Sequence, residues 1–172
     1  SESRMFLRRL SFLVPVLASL LVVGCGFHLR KEAVLPASMQ RVFIEIADPG
    51  SALARDLARA LPRAGVTVVP QAGPGVAVLA VPVNTTRTDV LTVGSTARAN
   101  EYTVRHHVEF AVRDADGKMV VPMQSIDLTR EFTFDSTQAL GVSAEIDLLT
   151  RELEREMVQA ILRRVEVVAE AH

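Results

Sequence analysis

One cysteine, Cys25, stands in a chain of 172 residues, so no internal disulfide can staple the fold. Histidine is sparse as well, with four residues. His28 and His172 lie near the ends, while His106 and His107 are adjacent. Neighbours on a strand point to opposite faces, so those two rings cannot share a metal, and His106 reads as a hydrogen-bonded core histidine. There is no HExxH pair, no phosphate-binding glycine loop and no GxSxG elbow. Asp114, Asp116 and Gly117 look like the start of a calcium loop, but the later ligands are missing and a turn accounts for them. The sequence therefore predicts a protein that is not an enzyme and uses neither metal nor cofactor. A dominant charge is missing too: 19 basic residues face 20 acidic ones. That balance excludes the bulk positive field of a nonspecific nucleic-acid binder. No internal repeat or low-complexity tract is present.

What is there begins with a basic head of Arg4, Arg8 and Arg9 and an apolar run over residues 10–23, broken by Ser11, Pro15 and Ser19. A membrane-spanning helix needs about 20 apolar residues and a secretory core about 7–15, so the length favours a cleaved export signal, with Met5 a possible true start. The run ends in Val22-Val23-Gly24-Cys25, which resembles a lipobox. Residues 1–24 are expected to be a signal peptide. Cys25 then becomes the first mature residue, carrying N-acyl and S-diacylglycerol lipid. Gly26 rather than aspartate follows it. That choice predicts onward sorting to the outer membrane, with the protein on its periplasmic face. Loss of Arg4, Arg8, Arg9 and Glu2 leaves 16 basic and 19 acidic residues, a net charge of −3. Any anion site must be local. The remaining 148 residues (172 less 24) suit one domain.

Residues 25–39 read as a lipidated tether and 40–169 as a single domain. In Arg41-Val42-Phe43-Ile44-Glu45-Ile46 both sides are largely apolar, as in an inner strand. Ser51 is placed to cap a short helix whose Leu53, Leu57 and Leu61 recur every fourth residue; Pro62 and Gly65 end it. Residues 76–93 form a long extended segment in which Pro82 marks an edge or a bulge. A small-residue loop with Arg98 follows, and then the clearest alternation in the chain. Tyr102, Val104, His106, Val108, Phe110 and Val112 share one face; Thr103, Arg105, His107 and Glu109 share the other. Parity predicts a three-residue hairpin loop of Ala115, Asp116 and Gly117, and sets Arg105 opposite Asp127, with Pro122 leaving room for a second irregularity. Ser143 is expected to cap a final helix striped by Ile146, Leu149, Leu153, Met157, Ile161, Val165 and Val168. These elements predict an α+β two-layer sandwich, with two helices on one face of a mostly antiparallel, mixed sheet of four to five strands. The other face, with Thr85, Thr86, Arg87, Thr88, Thr103, Arg105 and Thr129, would be polar.

Cys25-Gly26-Phe27-His28-Leu29-Arg30 resembles the mature start of the lipopolysaccharide-assembly lipoproteins of the LptE (RlpB) family. Leu35-Pro36, the 41–44 strand, Gly65-Val66, Asn100-Glu101-Tyr102, Phe132-Thr133-Phe134-Asp135 and the long last helix continue the likeness in order. The resemblance implies a plug inside the LptD outer-membrane β-barrel, in a one-to-one complex, that assists barrel assembly and binds lipopolysaccharide on its way to the surface. Arginine forks suit lipid phosphates, which makes Arg87 and Arg98 the first candidates, with Arg105 and Lys118 behind them. Residues 136–142 carry no basic residue where some relatives have one. Arg55, Arg59 and Arg63 read as a solvated helix face. The competing reading is an adaptor lipoprotein of another envelope complex.

Overall fold

The structure, a computed structural model, describes Leu35 and residues 37–93, 99–133 and 141–170. After a 3-10 turn at Ala37–Met39 come β1 (Arg41–Ile46), α1 (Ala52–Ala60), a second 3-10 turn (Leu61–Ala64), β2 (Thr67–Val69), β3 (Ala77–Val93), β4 (Ala99–Arg113), β5 (Met119–Thr133) and α2 (Val142–Glu170). The five strands lie in the order β2-β1-β3-β4-β5. β1 runs parallel to β2 and β3, whereas β3, β4 and β5 alternate in direction. This is the expected α+β arrangement with a mixed sheet, and β1 is indeed an inner strand.

The helix ends follow local chemistry. Ser51 Oγ accepts a hydrogen bond from the Ala54 amide at 3.2 Å, satisfying one of the free donors of α1. At the far end Gly65 takes φ 81°, and the Val66 amide donates back to the Leu61 carbonyl at 3.2 Å. In α2 the first bond is Glu145 N–H to the Gly141 carbonyl at 3.0 Å, so the helix starts at Val142. Ser143 thus lies inside the first turn, not at the expected cap. Gly141 supplies the carbonyl that opens the ladder.

Leu53, Leu57 and Leu61 from the first helical segment and Leu153, Met157, Ile161 and Val165 from α2 are all buried. All of these but Leu153 meet Val42, Leu79, Val81, Val108, Phe110 and Val112 in one cluster, so both helices cover the same face of the sheet. Burying each large side chain contributes about 1.5–3 kcal/mol, which makes this layer the main source of cohesion. Leu35 and Met39 join the cluster, extending the core to the N-terminal side of residue 40.

Strand register determines which side chains reach the uncovered face. β1 pairs with β3 from Val42↔Ala77 to Ile46↔Val81, and a bulge follows at Pro82, where pairing with β4 shifts between Ala80 and Val83. Beyond the bulge β3 has β4 as its only strand neighbour among the described residues. The β4–β5 loop is the expected three-residue one: the Asp114 amide bonds to the Lys118 carbonyl at 2.9 Å, and Gly117 has φ 80°. Two irregularities then intervene, between Arg113↔Met119 and Val112↔Val121 and again before Phe110↔Gln124. Each places one extra residue in β5, the second beside Pro122. The expected Arg105–Asp127 pair is therefore displaced by two positions: Arg105 faces Thr129, and Asp127 faces His107. Because the displacement is even, the apolar residues Ile126 and Leu128 still face the helices.

Candidate functional site

The face of the sheet away from the helices carries the chemistry. On β4 it presents Arg105, His107, Glu109, Ala111 and Arg113, the alternates of the dry residues Val104, His106, Val108, Phe110 and Val112. Pairing Arg87↔Arg105 and Thr85↔His107 brings the odd residues of β3 to the same side. Thr86 and Thr88, expected on this face, pair with His106 and Val104 and so belong to the helix side. Alternation separates them from Thr85 and Arg87.

Two of the four basic residues singled out in the sequence are thus brought together. Arg87 and Arg105 are direct cross-strand partners, both exposed, and together with Thr85, Asp89, His107 and Asp127 they line one shallow depression. Among the described residues neither guanidinium makes an ion pair or hydrogen bond. Directly opposed like charges oppose the pairing of their strands. Of the two carboxylates in the depression one is engaged, His107 Nδ1–H donating to Asp127 Oδ1 at 2.9 Å with Glu109 Oε1 3.6 Å from Nε2, while Asp89 lies two residues along β3 from Arg87 without forming an ion pair with either arginine. The depression therefore offers two free, forked donors to an anion. Lys118 is not part of it. It sits at the hairpin, eight residues along β4 from Arg105 by way of Arg113, roughly 26 Å away. Arg98 and Cys25 lie outside the described residues.

Sequence reasoning missed a second cationic cluster. Arg55 and Arg59 of α1, with Arg63 of the 3-10 turn that follows, line a groove with Arg151 and Arg155 of α2, accompanied by Asp56 and Glu154. Arg59 pairs with Asp56, and Arg55 bonds to the Gly50 carbonyl. Burial, followed by the Asp56 charge, raises the Glu154 pKa above its ordinary value, against the pull of Arg55, Arg151 and Arg155. The helix period identified the Arg55, Arg59 and Arg63 stripe, but only tertiary packing puts Arg151 and Arg155 beside it.

Among the described residues no group of three or more His, Cys, Asp or Glu side chains is placed to hold a metal ion. His106 is buried, its Nε2–H donating to Asn84 Oδ1 at 2.8 Å, which makes it the expected core histidine.

A family model described as lipopolysaccharide-assembly, LptE, matches residues 39–165. The chain belongs to the LptE family. A relative from Photorhabdus laumondii, named LPS-assembly lipoprotein LptE, is 29% identical over 163 residues, covering 95% of this chain and 88% of its own. A solution structure of a lipoprotein B from Nitrosomonas europaea superposes with a TM-score of 0.70 at 28% identity, covering 85% of this chain and 94% of that one. The crystal structure of rare lipoprotein B from Shewanella oneidensis gives a TM-score of 0.63 at 24% identity, over 72% of this chain and 92% of its own, and shares the fold. The arginine pair is therefore carried by a domain of the LptE family, and the match includes all five strands and most of α2.

Proposed function

We propose that the mature protein is a lipid-anchored plug and assembly partner of an LptD-type outer-membrane β-barrel, and that it binds lipopolysaccharide during transport to the cell surface. The ligand part rests on the Arg87–Arg105 pair: strand register holds two guanidinium forks, neither of them ion-paired, side by side on the open face of an LptE-family domain. A phosphate would accept from both and relieve their mutual repulsion. Arg98, in the β3–β4 connection, and Lys118, at the hairpin, are supplementary phosphate contacts in this proposal. The barrel part is supported by the family and by a sheet face whose polar residues Thr85, Arg87, Arg105 and Thr129 match a polar barrel lumen. Acyl chains on Cys25 would confine the domain to the membrane and raise its effective concentration beside the barrel. No catalytic step belongs to this role.

Detergent extraction of membranes tests the reading. A stable one-to-one complex with a large β-barrel protein, and a mature N-terminal peptide with triacylated Cys25 by mass spectrometry, are the expected results. Recovery with inner-membrane components alone would favour the adaptor role and overturn the plug. Binding of purified lipopolysaccharide should fall about tenfold or more in the Arg87→Glu, Arg105→Glu double variant; unchanged binding removes the pair from the ligand site.

A further inference from the structure

The open face holds an apolar trough as well as the arginines. Near the hairpin end of the sheet, Val78, Ala80, Pro82, Ala111, Met119 and Met123 line a cavity of about 380 Å³. Its floor is the direct pair Ala80↔Ala111, whose methyl side chains leave a channel between bulkier neighbours. Met119 and Met123 stand along it 49% and 55% exposed, while the core on the other face is filled without them. Large apolar side chains gathered around a concave surface in water mark a binding surface, and methionine adapts to a flexible guest.

The polar groups of the trough are already committed. Arg113 Nη2 and Glu45 Oε2 lie 3.8 Å apart across the width of β3 and neutralise each other at the end remote from Arg87. The main-chain groups of the floor belong to the β1–β3–β4 ladders, so a peptide would find few hydrogen-bonding partners there. A hydrocarbon chain needs none. Ala111 and Arg105 are six residues apart on the same face of β4, about 20 Å. The hydrocarbon of one bilayer leaflet is about 15 Å deep, leaving a few ångströms for the sugar or glycerol that joins chain to phosphate.

We propose that this trough is an acyl-chain subsite, occupied by one hydrocarbon chain of the same phosphorylated amphiphile whose phosphate meets Arg87 and Arg105. It rests on the ligand reading above and deepens it: the open face recognises both ends of a phosphoglycolipid, by charge at one end of β4 and by an apolar channel at the other. Glu109, between the two, is turned toward His107, with Oε1 3.6 Å from Nε2.

The test uses the purified full chain and lipid A with a photoactivatable diazirine at the end of one acyl chain. After irradiation, adducts mapped by peptide mass spectrometry are expected within residues 78–82 and 119–123. Filling the trough with Ala80→Leu should cut those adducts at least fivefold. Met123→Lys, at an exposed site, should do the same without risk to folding. Arg87→Glu with Arg105→Glu should lower labelling everywhere. Adducts elsewhere that ignore Ala80→Leu and Met123→Lys but vanish in the double arginine variant would overturn the trough and leave the phosphate site standing. Labelling of 78–82 and 119–123 by a neutral alkyl glucoside bearing the same diazirine, with none by lipid A, would overturn both.

Discussion

His106 and Asn84, on neighbouring strands and two residues apart in register, hold each other beneath α2 through a 2.8 Å hydrogen bond from Nε2 to Oδ1. The amide oxygen can only accept, so the ring carries its proton on Nε2, and Nδ1 is buried without a hydrogen-bond partner. Burial lowers the His106 pKa below 6.5; the nearby Leu153 main chain opposes this, and the His107 charge adds to it.

A pH dependence follows with a definite sign. The folded-state pKa lies below the unfolded one, so the unfolded chain takes up the proton first. Stability is full above about pH 6.5 and declines below it, at no more than about 1.4 kcal/mol per pH unit from this one group. Urea unfolding at pH 7.5 and 5.5 should show the loss, and His106→Gln should reduce it. An equal loss in both chains would place its origin elsewhere.

The arginine pair should trade stability for binding. Arg105→Gln removes a like charge directly opposite Arg87, a change of about 0.2–1 kcal/mol. The Tm should rise by about 1–3 °C while lipopolysaccharide affinity falls. A variant that loses stability and binding together would mark Arg105 as structural.

Glu154 offers an independent check on the groove between the helices. Its raised pKa means that the charged form is disfavoured in the folded state. Its contribution is therefore most favourable below the unfolded pKa and is lost as pH rises through the folded one. Glu154→Gln should raise the Tm at pH 7 and make no difference below about pH 4. A lower Tm at pH 7 would show that Arg55, Arg151 and Arg155 outweigh burial.

Leu57 tests the shared core. It is fully buried between α1, the sheet and α2, and truncation to alanine should cost about 2–5 kcal/mol. That corresponds to a fall in Tm of about 5–15 °C, read by circular dichroism. A loss below about 1 kcal/mol would mean that α1 packs only loosely on the rest.

The sequence made the two layers legible because their periods are strong. Leu53-Leu57-Leu61 and Leu153-Met157-Ile161-Val165 mark helix faces, and alternation in β4 marks the dry side of a strand. The hairpin was legible at its tip, where Gly117 meets the backbone demand of the loop. What escaped was cumulative register. The step at Pro82 had a visible cause, but the two extra residues in β5 depend on how that strand accommodates β4, and they moved Asp127 from Arg105 to His107. Arg87 and Arg105 could be named one at a time; their pairing, like the meeting of Arg63 with Arg151, depends on distant segments aligning. The trough escaped for a different reason, since alanines signal it only by what they fail to fill.

The paired irregularities of β5 also constrain how this stretch can change length. Dropping Val120, which the pairs Arg113↔Met119 and Val112↔Val121 leave without a partner, would erase one bulge and keep Ile126 and Leu128 in the oily layer. Beyond Gln124 every residue is paired as far as Thr133, and one residue added or lost there would exchange inside for outside along the rest of the strand. Natural variation in length should consequently be confined to the stretch between Met119 and Gln124.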